Sequence, residues 1–201
     1  MVNRKLSTLL LVLLLGNAST ATLAQAQDEA TEVRQLLEQR DGEIKQVLSD
    51  KKTLTDAQRD QLKNVINQGI DFEGMAQIAL GEFWSKTAAQ RRSEFVDVFS
   101  EIVRAQSLSN LDVYRSTVKY ESVSVDGDSA HVATTTVYRD VPTEVHYILN
   151  RKDGEWRVVD IILDDVSTAE GYARSFQTVI RKKGFDALMA SLNKKLESMA
   201  S

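Results

Sequence analysis

Between Ser116 and Leu163 apolar and polar residues alternate with a period of two. Two Asp-Gly pairs, Asp126-Gly127 and Asp153-Gly154, punctuate the run. Alternation of this kind suits a strand with one buried face, and Asp-Gly is a strong signal for a tight hairpin. The segment predicts four strands, at about 117–124, 129–138, 143–150 and 156–163, meandering into one antiparallel sheet. The only proline, Pro142, falls between the second and third strands, where its missing donor costs little.

The flanking sequence has helical spacing. Val33, Leu36, Leu37, Ile44, Val47 and Leu48 predict a helix from Asp28 or Glu29 to about Leu48, crossed by Gly42. Thr55 is placed to cap a second helix carrying Leu62, Val65 and Ile66, which ends at Asn67-Gln68-Gly69. Asp71 suits the cap of a third, ending near Gly81. Thr87 and Gln90 form a capping-box pattern before a long helix over about 88–108. Beyond Asp165, Tyr172, Phe176, Val179 and Ile180 mark a helix over about 168–183, with Ser167 or Thr168 as its cap. Gly184 then separates a last helix, 185–198. The expected class is α+β: a four-stranded twisted antiparallel sheet with several helices on one face.

The N-terminus reads as a targeting segment. Arg4 and Lys5 precede an apolar run from Leu6 to Leu15, and Ala24-Gln25-Ala26 supplies a small-x-small pattern. The run is shorter than the roughly 20 residues that span a membrane. Residues 1–26 are expected to be a signal peptide cleaved before Gln27, and 27–201 one exported domain. The chain carries 25 basic and 29 acidic residues, a net charge of −4, and Arg4 and Lys5 belong to the leader. An acidic domain without a basic patch repels nucleic acid, so that class of partner is set aside. With no cysteine in the chain, neither disulfides nor a lipid-modified mature terminus is available.

Catalytic patterns are sparse. The two histidines, His131 and His146, fall in predicted strands and become neighbours if strands two and three pair. Without cysteine they do not make a zinc set, and no metal site is expected. No nucleophile elbow or phosphate loop is present. Asp160, Asp164 and Asp165 cluster after the last strand. Asp160 with His146 or Tyr138 is the one conceivable acid–base pair, but a carboxylate capping the next helix is the simpler reading.

Two long stretches carry a family resemblance. In residues 72–103, FEGMAQIALGEFWSKTAAQRRSEFVDVFSEIV, with Asp71 before it, Phe72, Met75, Leu80, Gly81, Trp84, Arg91, Phe95 and Phe99 sit at signature positions. In residues 153–176, DGEWRVVDIILDDVSTAEGYARSF, so do Asp153, Gly154, Trp156, Val158, Asp160, Val166, Ser167, Tyr172, Arg174 and Phe176. Both resemble the MlaC, or toluene-tolerance, family, as does the ending GFDALMASLNKKL. The resemblance implies a nuclear-transport-factor-like sheet and helices around an apolar cavity. It implies a non-enzymatic periplasmic carrier that shuttles phospholipid as cargo, with no cofactor. Its implied partners are an inner-membrane ABC transporter bearing an MCE-domain protein and an outer-membrane lipoprotein–porin complex. The sequence departs from the family pattern at Asp165, often glycine in relatives, at Thr168 and Ala169, and near Ala105 and Gln106.

On that reading the expected lipid-pocket residues are Phe72, Met75, Ile78, Phe95, Phe99, Ile102, Val118, Tyr120, Val132, Val145, Tyr147, Leu149, Val158, Ile161, Leu163, Tyr172 and Phe176. Each equally suits an ordinary core position, because periodicity marks only the buried face. Arg91, Arg92, Arg104, Arg139, Arg174 and Arg181 are candidates to meet a headgroup phosphate or an acidic partner, as guanidinium geometry allows. Three alternatives stay open: a hopanoid, sterol or other lipid as cargo, a filled-core adaptor, and a small-molecule enzyme with a polar cavity.

Overall fold

The computed structural model describes residues 17–49, 53–108 and 111–200. Most of the expected leader, residues 1–16, lies outside them. The elements run α1 (Asn17–Leu48), α2 (Asp56–Gln68), α3 (Phe72–Leu80), α4 (Glu82–Lys86) and α5 (Ala89–Ser107), then a 3-10 turn at Leu111–Arg115. There follow β1 (Thr117–Asp126), β2 (Ser129–Tyr138), β3 (Val141–Lys152), β4 (Glu155–Leu163), β5 (Val166–Ser167), α6 (Thr168–Lys183) and α7 (Phe185–Ala200). α1 begins well before the expected Asp28, crossing the Ala26–Gln27 junction unbroken. Its early residues, Ala18, Ala21, Leu23, Ala24 and Ala26, are strong helix formers.

The antiparallel sheet has the order β1-β2-β3-β4-β5, five strands where four were expected. Each hairpin turns in two residues. Arg139 and Asp140 (φ 51° and 65°), Asp153 and Gly154 (53° and 82°), and Asp164 and Asp165 (45° and 64°) all lie in the left-handed region. Positive φ at both central positions is what lets a two-residue turn follow the twist of its strands. Asp tolerates that region because its short side chain bonds locally. Asp164 and Asp165, taken from sequence as acids near a helix cap, are thus the turn that returns the chain as β5. Pro142 lies inside β3, opposite Val137, rather than between strands. It is tolerated because β4 pairs with β3 only from Val145 onward, leaving that end of the strand with an open edge.

Two bulges re-aim the strands. One interrupts β1 between Tyr120 and Ser122, and one in β4 leaves Val159 unpaired between Val158 and Asp160. The second keeps Trp156, Val158, Ile161 and Leu163 on the inner face while Asp160 turns toward α6. There Ser167 Oγ donates to Asp160 Oδ2, and the Ala169 amide donates to Oδ1 at 2.9 Å. Ser167 Oγ accepts in turn from the Glu170 amide at 3.0 Å. The buried carboxylate is therefore an anchor for the α6 N-terminus, where anionic oxygens satisfy orphan donors. Asp160→Ala should lower stability by about 2–3 kcal/mol, read as a lower urea midpoint at unchanged m-value. A midpoint shift under half a kcal/mol would show that the anchor is dispensable.

The caps follow the sequence at α2, where Thr55 and Gln58 form a reciprocal capping box, and at α3, where Asp71 accepts from the Gly74 amide. They depart from it at α5. Thr87 is not its cap; the hydroxyl donates back to Phe83 O at 2.8 Å, closing the short α4, and α5 starts after Ala88 without a side-chain cap. Gly81 (φ 53°) ends α3 where the sequence placed its end, and the short α4 that follows it was not expected.

Three apolar clusters hold these parts. Val33 and Leu37 of α1 pack on Ala130, Val132, Leu149, Trp156 and Val158 of the sheet. Ile44, Val47 and Leu48 meet Leu54 and Leu62. The largest cluster joins α3, α5, α6 and α7 through Met75, Leu80, Phe95, Phe99, Ile102, Phe176, Ile180, Leu188 and Leu192. Between α2 and α3 the chain touches β4: Val158 donates to Gly69 O at 2.7 Å, and Asp71 donates to Val158 O at 2.9 Å. This contact covers part of the free β4 edge.

Candidate functional site: a cavity under the first helix

The clusters do not close on one another. Between the inner sheet face, α1, the α2–α3 junction, α5 and α6 lies a cavity of about 470 Å³. Its apolar wall comes from Leu37 and Ile44 of α1, Val65, Ile66 and Ile70, and Met75 of α3. Val103 of α5 and Val118, Val145, Val158, Ile161 and Leu163 of the sheet complete it. Leu163 and Val113 are 47% and 40% exposed, so the wall reaches the surface at that end. A concave, mostly apolar space of this size is of the kind that holds small ligands.

Of the residues expected to line a pocket, Met75, Val118, Tyr120, Val145, Tyr147, Val158, Ile161, Leu163 and Tyr172 do line this one. The others do not. Phe95, Phe99, Ile102 and Phe176 are packed in the helical core, with Phe95 and Phe99 stacked at 5.5 Å and Phe176 edge-on to both. The face of α5 that meets the cavity carries Val103, Gln106 and Ser107 instead. Val132 and Leu149 are buried beneath α1. Phe72 lies under the Arg104 guanidinium at 4.4 Å, and Ile78 is 37% exposed.

None of the expected arginines lines the cavity. Arg91 pairs with Glu94 and Asp186 and stacks on Phe185. Arg92 stacks on Trp84. Arg104 binds Glu101, Arg139 faces Asp112 from a hairpin turn, and Arg174 faces Glu170. The charged residues that do reach the cavity are Arg40 and Asp41 of α1. The sequence held a signal for them: the apolar stripe Val33, Leu37, Ile44, Leu48 steps by three or four, and Arg40 and Asp41 occupy its missing middle.

Four phenols line the cavity, those of Tyr114, Tyr120, Tyr147 and Tyr172. The Tyr172 hydroxyl donates to Gln106 Oε1. Neither the Tyr120 nor the Tyr147 hydroxyl has a hydrogen-bond partner among the described residues. Burial pushes Tyr114 and Tyr147 up to about 12, with Asp41 adding to the rise at Tyr147. Tyr120 is raised further, by burial first and then by Tyr147 and Asp41. All three remain neutral donors at any ordinary pH. The folded chain then holds protons that the unfolded chain loses above the ordinary tyrosine value near 10, so stability falls as pH rises from about 10 to 12. Absorbance at 295 nm in a Tyr138→Phe variant, which removes the phenol at the hairpin tip, should show the remaining phenols ionising only with unfolding, so ionisation near pH 10 in that folded variant would contradict their burial.

His131 and His146 do come together, Nε2 to Nδ1 at 2.9 Å, but on the outer sheet face, opposite the cavity. Asp160 is occupied at the α6 cap, and Tyr138 stands at a hairpin tip beneath Arg139, so the acid–base pair expected from sequence does not meet in the cavity. Among the described residues no group of three or more His, Cys, Asp and Glu is placed to hold a metal ion, and no helix is long and apolar enough to cross a membrane.

Known proteins resemble this chain in sequence and in fold. The intermembrane phospholipid transport system binding protein MlaC of Haemophilus influenzae is 23% identical over 138 residues. The match covers 65% of this chain and 64% of that protein, so just under two thirds of the relative's length is spanned. The phospholipid-binding protein from Ralstonia solanacearum, solved in complex with a phospholipid, superposes with a TM-score of 0.62 at 22% identity. That match covers 90% of this chain and 98% of the other, and establishes the likeness of fold. The family model of the MlaC protein matches residues 38–194, from within α1 to within α7, and the chain belongs to the MlaC family.

Proposed function

We propose that this protein is a periplasmic carrier that takes up a phospholipid, hides its acyl tails in the cavity under α1, and releases it at a second membrane. The observation that carries the reading is the apolar cavity in a chain of the MlaC family. Each exposed methylene of an acyl tail costs roughly 0.8 kcal/mol, so a carrier moving through water needs an enclosed apolar surface. The ligand undergoes no chemistry, and no cofactor takes part. We read the five-stranded sheet and its helices as a nuclear-transport-factor-like architecture, and residues 1–26 as the export signal of a lipid-binding domain over 27–201. Val118, Val145, Ile161 and Leu163 contact the tails; Phe95, Phe99 and Phe176 support the wall from behind. The docking partners are an inner-membrane ABC transporter with an MCE-domain protein and an outer-membrane lipoprotein–porin complex. Arg91, Arg104, Arg139 and Arg174, all outside the cavity, are candidates for those contacts. Both partner assignments follow from family membership, as does the phospholipid named for the Haemophilus and Ralstonia proteins.

The test is mass spectrometry of protein exported to a bacterial periplasm and purified without detergent, run natively and after solvent extraction. Stoichiometric diacyl phospholipid supports the reading. Bare protein that also refuses lipid extract from its source would sink it, and a neutral polycyclic lipid would change the cargo.

A further inference from the structure

His131 and His146 are the only histidines in the chain, and pairing of β2 with β3 brings them to one spot. They are not directly opposite: His131 faces Ile148 across the ladder and His146 faces Ala133. Residues two apart on a strand share a face, so the two rings meet on a diagonal of the outer face. Their centroids are 5.0 Å apart, and His131 Nε2 stands 2.9 Å from His146 Nδ1. The His146 side chain is 27% exposed, so solvent reaches the pair. Glu144 Oε2 is 3.9 Å from His146 Nε2, the ring nitrogen turned away from His131. Thr135, opposite Glu144, donates to Glu121 at 3.0 Å in the same row. Lys119 pairs with Glu121 at 2.9 Å and offsets one of these two carboxylates, leaving Glu144 to face the histidines. That carboxylate favours the proton of His146 on Nε2 and leaves the Nδ1 lone pair facing His131.

We propose that this pair is a binding site for a divalent transition-metal ion of the copper–nickel class, held by His131 Nε2 and His146 Nδ1 with water in its remaining positions. The distance selects the geometry. Metal–imidazole bonds of about 2.0–2.1 Å at a right angle put the two nitrogens about 2.8–3.0 Å apart, whereas a tetrahedral angle needs about 3.3–3.4 Å. The 2.9 Å separation is therefore the square-planar or tetragonal one. Copper heads the affinity order at nitrogen ligands, so Cu2+ is the first occupant. Without metal, the facing nitrogens share one proton, that of His131 Nε2. On binding, His131 takes its proton on Nδ1 instead, by exchange with water, and both facing nitrogens become ligands while both rings stay neutral. The ion bridges β2 and β3 on the face away from the cavity and takes no part in lipid uptake, so the site does not depend on the carrier reading.

The test uses the protein without a histidine tag, so that His131 and His146 are its only imidazoles. Cu2+, Ni2+ and Zn2+ are titrated by calorimetry in a buffer that does not bind them, and the Cu2+ complex is read by electron paramagnetic resonance. The expected result is one Cu2+ per chain, bound more tightly than Ni2+ or Zn2+, with the signature of two imidazole nitrogens. Affinity for Cu2+ should fall about tenfold or more in His131→Ala and in His146→Ala alike, and by a smaller factor in Glu144→Gln. Circular dichroism checks the folding of each variant. A second readout needs no variant: substoichiometric Cu2+ should broaden the ring-proton NMR signals of both histidines together. Undiminished Cu2+ binding in a folded His131→Ala/His146→Ala protein, one imidazole nitrogen in place of two, or broadening of a single ring would overturn the proposal. So would the absence of stoichiometric Cu2+ binding.

Discussion

Ile161→Trp should leave the protein folded and nearly empty of lipid. Ile161 lies on the inner face of β4 after the bulge, opposite Tyr147, and its side chain borders open space. An indole there occupies volume that the acyl tails need. Overpacking a filled core costs about 1–3 kcal/mol, whereas filling a void costs little or stabilises. Extractable lipid per molecule should fall by about tenfold or more, since each displaced methylene removes roughly 0.8 kcal/mol of binding. The melting temperature should hold steady or rise. A fall of many degrees with lipid content intact would place Ile161 in a packed core and remove the cavity from the mechanism.

Phe99→Ala should do the reverse. Phe99 is fully buried, stacked on Phe95 at 5.5 Å and met edge-on by Tyr172 at 5.0 Å and Phe176 at 5.8 Å. Removing a ring from such surroundings typically costs about 3–5 kcal/mol, transfer energy and residual void together. In a domain of this length the expected fall in melting temperature is about 10 °C. Lipid carried per folded molecule should change little, because Phe99 is not among the residues lining the cavity. Calorimetry and lipid extraction on the same samples separate the two effects. Lost cargo at unchanged stability would assign Phe99 to the pocket after all.

The contrast between Ile161 and Phe99 marks how far the sequence can be read. Both sit on apolar stripes of the expected period, and both were candidate pocket residues. Period alone placed each on a buried face. Whether that face meets another side chain or an open space depends on how far apart the opposing elements are held. Here α5 turns its Phe95–Phe99–Ile102 stripe toward α3, α6 and α7, and presents Val103 and Gln106 to the cavity. The β4 bulge likewise decides that Ile161 points inward while Asp160 anchors α6.

Arg40 shows the same limit from the polar side. It is one arginine among many, with no motif around it. Its place in the cavity wall is against Gly69, where a Cβ would stand 3.0 Å from Nε.

By itself the sequence determined the α+β class, the antiparallel meander, the Thr55 and Asp71 caps, the Gly184 break and the family. These depend on local backbone preference, on periodicity and on residues close together in the chain. Only the tertiary structure decided the fifth strand, the division of apolar residues between packed core and cavity wall, and the placing of Arg40 and Asp41 at the cavity. Those depend on distances between elements far apart in sequence, set by bulges, turns and packing together.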